Sequence, residues 1–279
     1  ISDTLLNDTA ITCRMPYADK DKELEPFTDC TALSSGWAWN IPLWSRVGSG
    51  YVYSSRFQNE DGAKKEYKDY LTKRFDKKRV SDLEFNVVKF KTGKYKRGWV
   101  GNCLALTLAS GFIEPLESTG LALACYQINH FIEAIKDGEC SSFTKKLYNR
   151  ELDKSFEEIY NFVLLHYVNT KREDSTYWKH IKNTLEIPNS LSDYVANEKS
   201  GEWFPRKSRE SILIGINGNA EYSPKHLMYN NKWVMKCNKK EQENILADLN
   251  YFKLRKEWHT EKTYKMDILE KYLAKEIYA

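Results

Sequence analysis

Two carboxylates stand just before a Ser-Thr-Gly step in residues 111–120, which read GFIEPLESTG. From Leu121 onward the apolar residues recur at helical spacing, so Ser118, Thr119 and Gly120 are predicted at the N-terminus of an amphipathic helix. Such a helix start offers unpaired N–H groups and a positive dipole end, which can bind a halide, a phosphate or the electron-rich edge of a reduced flavin. The simpler interpretation is an ordinary helix cap.

A second segment is rich in tryptophan: residues 35–44 read SGWAWNIPLW. Trp37, Trp39 and Ile41 alternate onto one face of a predicted strand, and Pro42 removes a donor from the ladder. A half-buried core strand would account for this pattern, so the segment alone does not indicate a function.

Taken together, the two segments resemble flavin-dependent halogenases. GWAWNIP resembles the Trp-x-Trp-x-Ile-Pro signature of that family, and WVGNCLALTLASGFIEPLESTG is similar to its flavin and halide segment, in the same chain order. HYVNTKREDSTYW, residues 166–178, is similar to a helical stretch further along tryptophan-halogenase-like proteins. The likeness runs from about Phe27 to Trp178 and is weaker over the last hundred residues or so.

The resemblance implies a reaction that uses reduced FAD, molecular oxygen and a halide ion, chloride or bromide, to halogenate an electron-rich aromatic substrate such as tryptophan or another indole. It assigns catalysis to Glu117, which would polarise the electrophile or assist removal of the ring proton, and the halide site to Thr119 and Gly120. Trp37 and Trp39 would form the pocket wall between flavin and substrate. A separate flavin reductase would supply the reduced FAD, and a homodimer is compatible with the resemblance.

Glu114 is the competitor of Glu117 for the catalytic role. It precedes Pro115, which favours an extended link, so the two carboxylates need not share a face. Because the resemblance assigns chemistry to the glutamate directly before Ser-Thr-Gly, Glu114 is predicted to be structural.

The same segment implies flavin contacts. Asn102 could hydrogen-bond a ribityl hydroxyl as donor or acceptor, although Gly101-Asn102 would otherwise be interpreted as an ordinary turn. The predicted cofactor-binding residues are Gly101, Asn102, Leu108, Ser118 and Leu121.

One feature of the family is missing from this sequence. Halogenases begin with a GxGxxG turn for the ADP half of FAD, followed by an active-site lysine, and neither is found here. Gly48-Ser49-Gly50 comes nearest and is predicted to be a hairpin turn. The chain, which starts at Ile1, is therefore expected to be the C-terminal part of a longer protein and inactive alone. An FAD-dependent aromatic monooxygenase and a non-catalytic fragment remain the alternatives.

The formal net charge of +4, from 43 basic and 39 acidic side chains, gives little support to a nucleic-acid partner. No apolar run approaches the roughly 18 residues of a membrane span, so a cytoplasmic protein without a membrane partner is expected. Six cysteines without a Cys-x-x-Cys pair are interpreted as reduced thiols, and no metal site is predicted. His130 and His166 are interpreted as packed or surface residues of helices.

The predicted class is α/β, with an α+β arrangement in this chain. Residues 1–136 are expected to form part of an FAD-dependent monooxygenase-like flavin domain, and residues 137–279 a mainly helical substrate-side domain. Strands are predicted within residues 11–17, 31–43, 50–57, 85–91 and 99–108. Helices are predicted over residues 63–75, capped by Asp61, from Leu121, over residues 152–167, and from Lys239 to the C-terminus.

Overall fold

The computed structural model describes residues 3–25, 27–136, 140–168, 170–196, 201, 203, 204, 208, 209, 212, 226–229 and 232–236. A five-stranded sheet occupies the first part of the chain, and helices dominate the described residues after it. This mixture confirms the predicted α+β arrangement. The helix predicted from Lys239 onward lies outside the described residues.

The main sheet contains the strands β1 (Thr9–Met15), β2 (Asp29–Leu33), β3 (Gly36–Pro42), β4 (Val47–Tyr53) and β5 (Asn86–Lys89). It is antiparallel throughout, and its strands lie in the order β2-β3-β4-β1-β5. β-branched and aromatic residues concentrate in β1, β3 and β4, as pleated and largely buried strands require. Residues 31–43 form most of a hairpin rather than a single strand, because the chain reverses at Ser34 and Ser35.

The predicted hairpin turn at Gly48-Ser49-Gly50 is wrong, since these residues lie inside β4. Trp39 is the partner of Gly50 across the β3–β4 ladder. A Cβ atom at Gly50 would lie 2.1 Å from Cη2 of the Trp39 ring. Glycine is therefore required because the indole fills the space above the backbone, and not because the chain turns here.

One face of the sheet packs against α2 (Glu60–Arg74) and α3 (Lys77–Ser81). Tyr67 and Leu71 of α2 are completely buried among strand residues such as Ile11. The helix predicted over residues 63–75 is confirmed, but the predicted cap is wrong. Asn59 caps α2, because its side chain accepts a hydrogen bond of 2.9 Å from the Gly62 N–H.

The other face of the sheet packs against the long helix α5 (Ser142–Val168), which confirms the helix predicted from the apolar spacing of residues 152–167. Trp37 and Val52 belong to the same core as Phe156 and Ile159 of α5. The core thus joins side chains from both sides of residue 136, and the domain division there stays a prediction. The other helices are α1 (Lys20–Glu23), α4 (Gly120–Lys136), α6 (Thr176–Asn183) and α7 (Asn189–Ala196).

Short two-stranded ladders connect the main sheet to α4. The single strand predicted over residues 99–108 is wrong: Gly101 adopts φ +59° and reverses the chain, which divides the segment into two strands. The ladders pair β6 (Gly93–Lys94) with β9 (Gly111–Phe112), and β7 (Trp99–Val100) with β8 (Cys103–Leu104). Further along, β10 (His226–Tyr229) pairs with β11 (Lys232–Lys236).

Candidate functional site

The start of α4 has the open geometry that the sequence predicts. A 3₁₀ turn over Pro115–Glu117 is followed by Ser118 in the left-handed region, at φ +53°. The Thr119 carbonyl then accepts the first helical hydrogen bond, from the Leu123 N–H, at 2.8 Å. Apart from Gly120 itself, its chain neighbours and the backbone of the helix start, no atom lies within 4 Å of the position that a Gly120 Cβ would occupy. The Ser-Thr-Gly step is therefore a helix N-terminus that a ligand can approach closely.

Glu117, at the end of that 3₁₀ turn, points toward α5. Its Oε1 lies 2.7 Å from Nε2 of His166, and both side chains are mostly shielded from solvent, with 28% and 17% exposed. The interpretation of His166 as an unremarkable helical residue is incomplete, because the structure places it against the predicted catalytic carboxylate. The sequence signal that could have indicated this contact is the position of His166 in the segment 166–178, which is one of the segments that resemble halogenases.

Glu114 occupies a very different environment from Glu117, although only two residues separate them. Its side chain is buried, and Oε2 accepts hydrogen bonds from Nδ2 of Asn7 at 2.7 Å and from Nε1 of Trp37 at 3.5 Å. Desolvation raises the pKa of Glu114, and hydrogen bonds from Tyr167, Asn7 and Trp37 offset only part of this effect. These contacts support the predicted structural role.

Asn7 is the centre of this buried network, and sequence reasoning did not find it. Its Nδ2 also lies 3.0 Å from the Tyr167 hydroxyl oxygen, and its Oδ1 accepts a hydrogen bond from the Tyr177 hydroxyl at 3.1 Å. The network connects the N-terminal segment to α5 and α6 behind Trp37. A single asparagine without a recognisable spacing gave no signal for this role.

The raised pKa of Glu114 leads to a prediction about stability. Between the ordinary carboxyl pKa of 4.5 and the raised pKa of the folded chain, Glu114 should be protonated in the folded chain and ionised in the unfolded chain. The free energy of unfolding should therefore decrease as the pH rises through the folded-state pKa of Glu114. Glu114→Gln removes this titration and should flatten the decrease, which has a maximum slope of about 1.4 kcal/mol per pH unit. Denaturant unfolding across a pH series measures both curves.

The control for this experiment is Glu157→Gln, the same change at an exposed position of α5. It should leave the pH dependence unchanged. If the curves of the Glu114→Gln variant and the unmodified chain run parallel, Glu114 does not titrate as the structure requires.

Trp37 and Trp39 lie side by side on one face of β3, as the alternation predicts. Their ring centroids are 5.8 Å apart and their planes are tilted by 51°. Trp37 is buried, with its N–H toward Glu114, whereas Trp39 is only partly buried. This arrangement is suitable for a rigid aromatic wall, and the role of pocket wall stays a prediction.

The residues predicted to contact flavin are mostly at the surface. Gly101 and Asn102 form the exposed turn between β7 and β8, Ser118 is exposed, and Leu108 and Leu121 are 73% and 84% exposed. Exposed leucines offer apolar contacts to a planar ring system, and the role of these residues in flavin binding stays a prediction. The chain has no GxGxxG motif to fit the ADP end.

Gln127 fixes the position of Leu108 and was missed by sequence reasoning. It is buried in α4, where its Oε1 accepts a hydrogen bond of 2.7 Å from the Thr107 N–H and its Nε2 donates to Ser110 Oγ at 2.8 Å. These bonds attach the 3₁₀ turn Thr107–Ala109 to α4. A polar residue on the buried face of an amphipathic helix is the signal that could have indicated such a role.

Within the described residues, no cluster of three or more His, Cys, Asp or Glu side chains could hold a metal ion. Five cysteines of this part are free thiols. Partial desolvation, with the negative charges of Asp29 and Glu117, raises the pKa of Cys30 to about 11, so this thiol is protonated at neutral pH. None of the helices that the structure describes has the length and apolar character to cross a membrane.

The sequence is similar to known proteins over most of its length. The tryptophan halogenase family model matches residues 1–235. The sequence is 33% identical over 201 residues to tryptophan 7-halogenase RebH of Lentzea aerocolonigenes, covering 72% of this chain and 37% of RebH. It is 36% identical over 201 residues, with the same coverage, to tryptophan 7-halogenase KtzQ of Kutzneria sp. (strain 744).

Solved structures agree with these sequence relatives. The tryptophan C-6 flavin-dependent halogenase Tar14 from taromycin biosynthesis is 29% identical and superposes with a TM-score of 0.71, over 90% of this chain and 50% of Tar14. This likeness confirms the predicted fold, part of an FAD-dependent monooxygenase-like domain with associated helices. The chain spans about a third to a half of the length of these relatives. On the family match and the shared fold, this chain belongs to the tryptophan halogenase family.

Proposed function

We propose that this chain forms part of a flavin-dependent halogenase that acts on an electron-rich aromatic substrate such as tryptophan or another indole. The observation that carries the proposal is the open start of α4 directly after Glu117. When bound, reduced FAD would react with oxygen and a halide ion to supply hypohalous acid as the halogenating agent.

The N–H groups of Thr119 and Gly120 would hold the chloride or bromide ion, since backbone donors at a helix start suit an anion that must remain free to react. Ser118 and Leu121 flank this site, and the flavin ring would lie near them. Further flavin contacts would come from Leu108, Gly101 and Asn102, which the fold presents at the surface.

Glu117 would act on the substrate ring. Electrophilic attack creates a cationic ring intermediate, which a nearby carboxylate stabilises, and the ring hydrogen then leaves as a proton that the carboxylate can accept. Trp37 and Trp39 would keep the substrate away from the flavin, so that only the small oxidant reaches it. This separation favours transfer of halogen over direct transfer of oxygen.

The function is tested in the expected longer parent protein, supplied with FAD, a flavin reductase, tryptophan and either chloride or bromide. Mass spectrometry should show a halogen in place of one ring hydrogen. A product that gains oxygen would instead assign the parent to the aromatic monooxygenases. The reductase partner, a homodimer and a cytoplasmic location are part of this proposal.

A further prediction concerns the isolated 279-residue chain. Because its sequence lacks the GxGxxG phosphate-binding turn, it should bind FAD weakly or not at all, whereas the longer parent should bind FAD reversibly. Fluorescence titration of FAD with each protein measures the two affinities. Tight one-to-one binding by the isolated chain would contradict this prediction.

A further inference from the structure

The imidazole of His166 is held at both nitrogen atoms. Nδ1 lies 2.9 Å from the Phe162 carbonyl oxygen, one helical turn earlier in α5, and Nε2 lies 2.7 Å from Oε1 of Glu117. A carbonyl oxygen can only accept a hydrogen bond, so Nδ1 must carry a hydrogen. The contact with Phe162 therefore fixes the tautomer of the ring.

This tautomer determines what lies between His166 and Glu117. With the Nδ1 hydrogen assigned, a neutral ring has only a lone pair at Nε2, and an ionised carboxylate has only lone pairs at Oε1. Two lone pairs at 2.7 Å would repel, whereas a proton between the atoms gives a hydrogen bond of ordinary length. A hydrogen bond between these two atoms therefore requires one proton between Nε2 and Oε1.

The surroundings limit the movement of both groups. The Phe162 ring meets the His166 ring edge-on, with centroids 5.3 Å apart and planes at 89°. The titratable groups nearby are Glu114, which interacts with His166 from the side of the buried network, and Asp29, which with Glu117 interacts with the Cys30 thiol. The Glu117 side chain is 28% exposed and meets His166 through Oε1, which leaves Oε2 as the carboxylate oxygen for a substrate.

We propose that His166 is the positioning residue of Glu117: it holds Oε1 through the shared proton and leaves Oε2 directed at the aromatic substrate. This inference rests on the proposed function for its catalytic meaning. Its structural content, a fixed tautomer and a bridging proton, applies to the 279-residue chain itself and is tested without any cofactor.

The first experiment is nuclear magnetic resonance of the chain labelled with ¹⁵N-histidine. His166 should show a hydrogen on Nδ1 and a strongly downfield exchangeable proton at Nε2. Glu117→Gln should abolish that downfield signal, and Glu157→Gln, on the exposed face of α5, should preserve it. A neutral ring with its only hydrogen on Nε2, or a signal that survives Glu117→Gln, would overturn the inference.

The second experiment compares His166→Phe with His166→Gln in the longer parent protein. Phe keeps a ring but has no hydrogen-bond donor for Oε1 of Glu117. We therefore expect kcat to decrease by on the order of tenfold to a hundredfold while KM changes little. Gln keeps an N–H donor near the position of Nε2 and should restore part of the rate. Equal losses in both variants, or a change in KM alone, would overturn the positioning role.

The two experiments separate this inference from the proposed function. If the parent protein halogenates nothing but the bridging proton is observed, the proposed function fails and the His166–Glu117 geometry stands. If halogenation is observed and the bridging proton is absent, the positioning role fails alone.

Discussion

Glu117→Gln should lower the rate of halogenation in the longer parent protein by on the order of a hundredfold or more, which is the scale lost when a positioned acid-base group is removed. Gln is nearly isosteric with Glu but carries no charge to stabilise the ring cation and cannot accept the ring proton. Flavin binding and the fold should be retained, because Glu117 lies at the partly exposed end of a 3₁₀ turn. Steady-state product formation measures the effect.

Glu114→Gln is the matched control for this prediction. Glu114 is buried against Asn7 and Trp37 rather than beside the open helix start, and burial favours its uncharged form. An uncharged amide of the same shape should therefore reduce halogenation much less than Glu117→Gln does. If Glu114→Gln were the more damaging change, the catalytic role would belong to Glu114.

Gly120→Val should raise the halide concentration needed for half-maximal product formation by about tenfold to a hundredfold. Loss of a hydrogen bond to a charged group costs about 1.5–3 kcal/mol, which corresponds to a change of this size. Apart from its chain neighbours and the backbone of the helix start, no protein atom lies within 4 Å of the position of a Gly120 Cβ, so valine should fit the fold while it obstructs the approach of the ion to the helix start. The half-saturating bromide concentration is obtained by measuring product formation over a range of bromide concentrations.

Thr119→Ser is the control at the neighbouring residue. It leaves the backbone N–H groups and the helix start unchanged, so the half-saturating bromide concentration should change little. An unchanged halide dependence in both variants would mean that the ion binds elsewhere.

The parts of the site that the sequence predicted depend on local periodicity. Apolar residues at helical spacing after Leu121 placed the Ser-Thr-Gly step at a helix start, and alternation along β3 placed Trp37 and Trp39 on one face. Both patterns are properties of a short segment, because an element's period depends only on its own residues. The fold class followed from the same patterns together with the family resemblance.

The parts that the sequence did not predict depend on contacts between distant segments. His166 meets Glu117 because α5 packs against the segment before α4, and Asn7 meets Glu114 because the N-terminal segment packs against the same core. Gly50 was assigned to a turn for the same reason: the Trp39 ring that requires a glycine there belongs to another strand. Composition and spacing contain no information about such partners.

The network around Asn7 also has a consequence for how the protein folds. Its bonds to Glu114, Tyr167 and Tyr177 join residues 107, 160 and 170 positions apart in the sequence. Contacts of such high sequence separation require closure of long loops, which makes them costly to form early. We therefore expect the hydrogen-bond network around Asn7 to form late in folding, after the β3–β4 hairpin and α5. A refolding chain would acquire its secondary structure before it acquires a competent site.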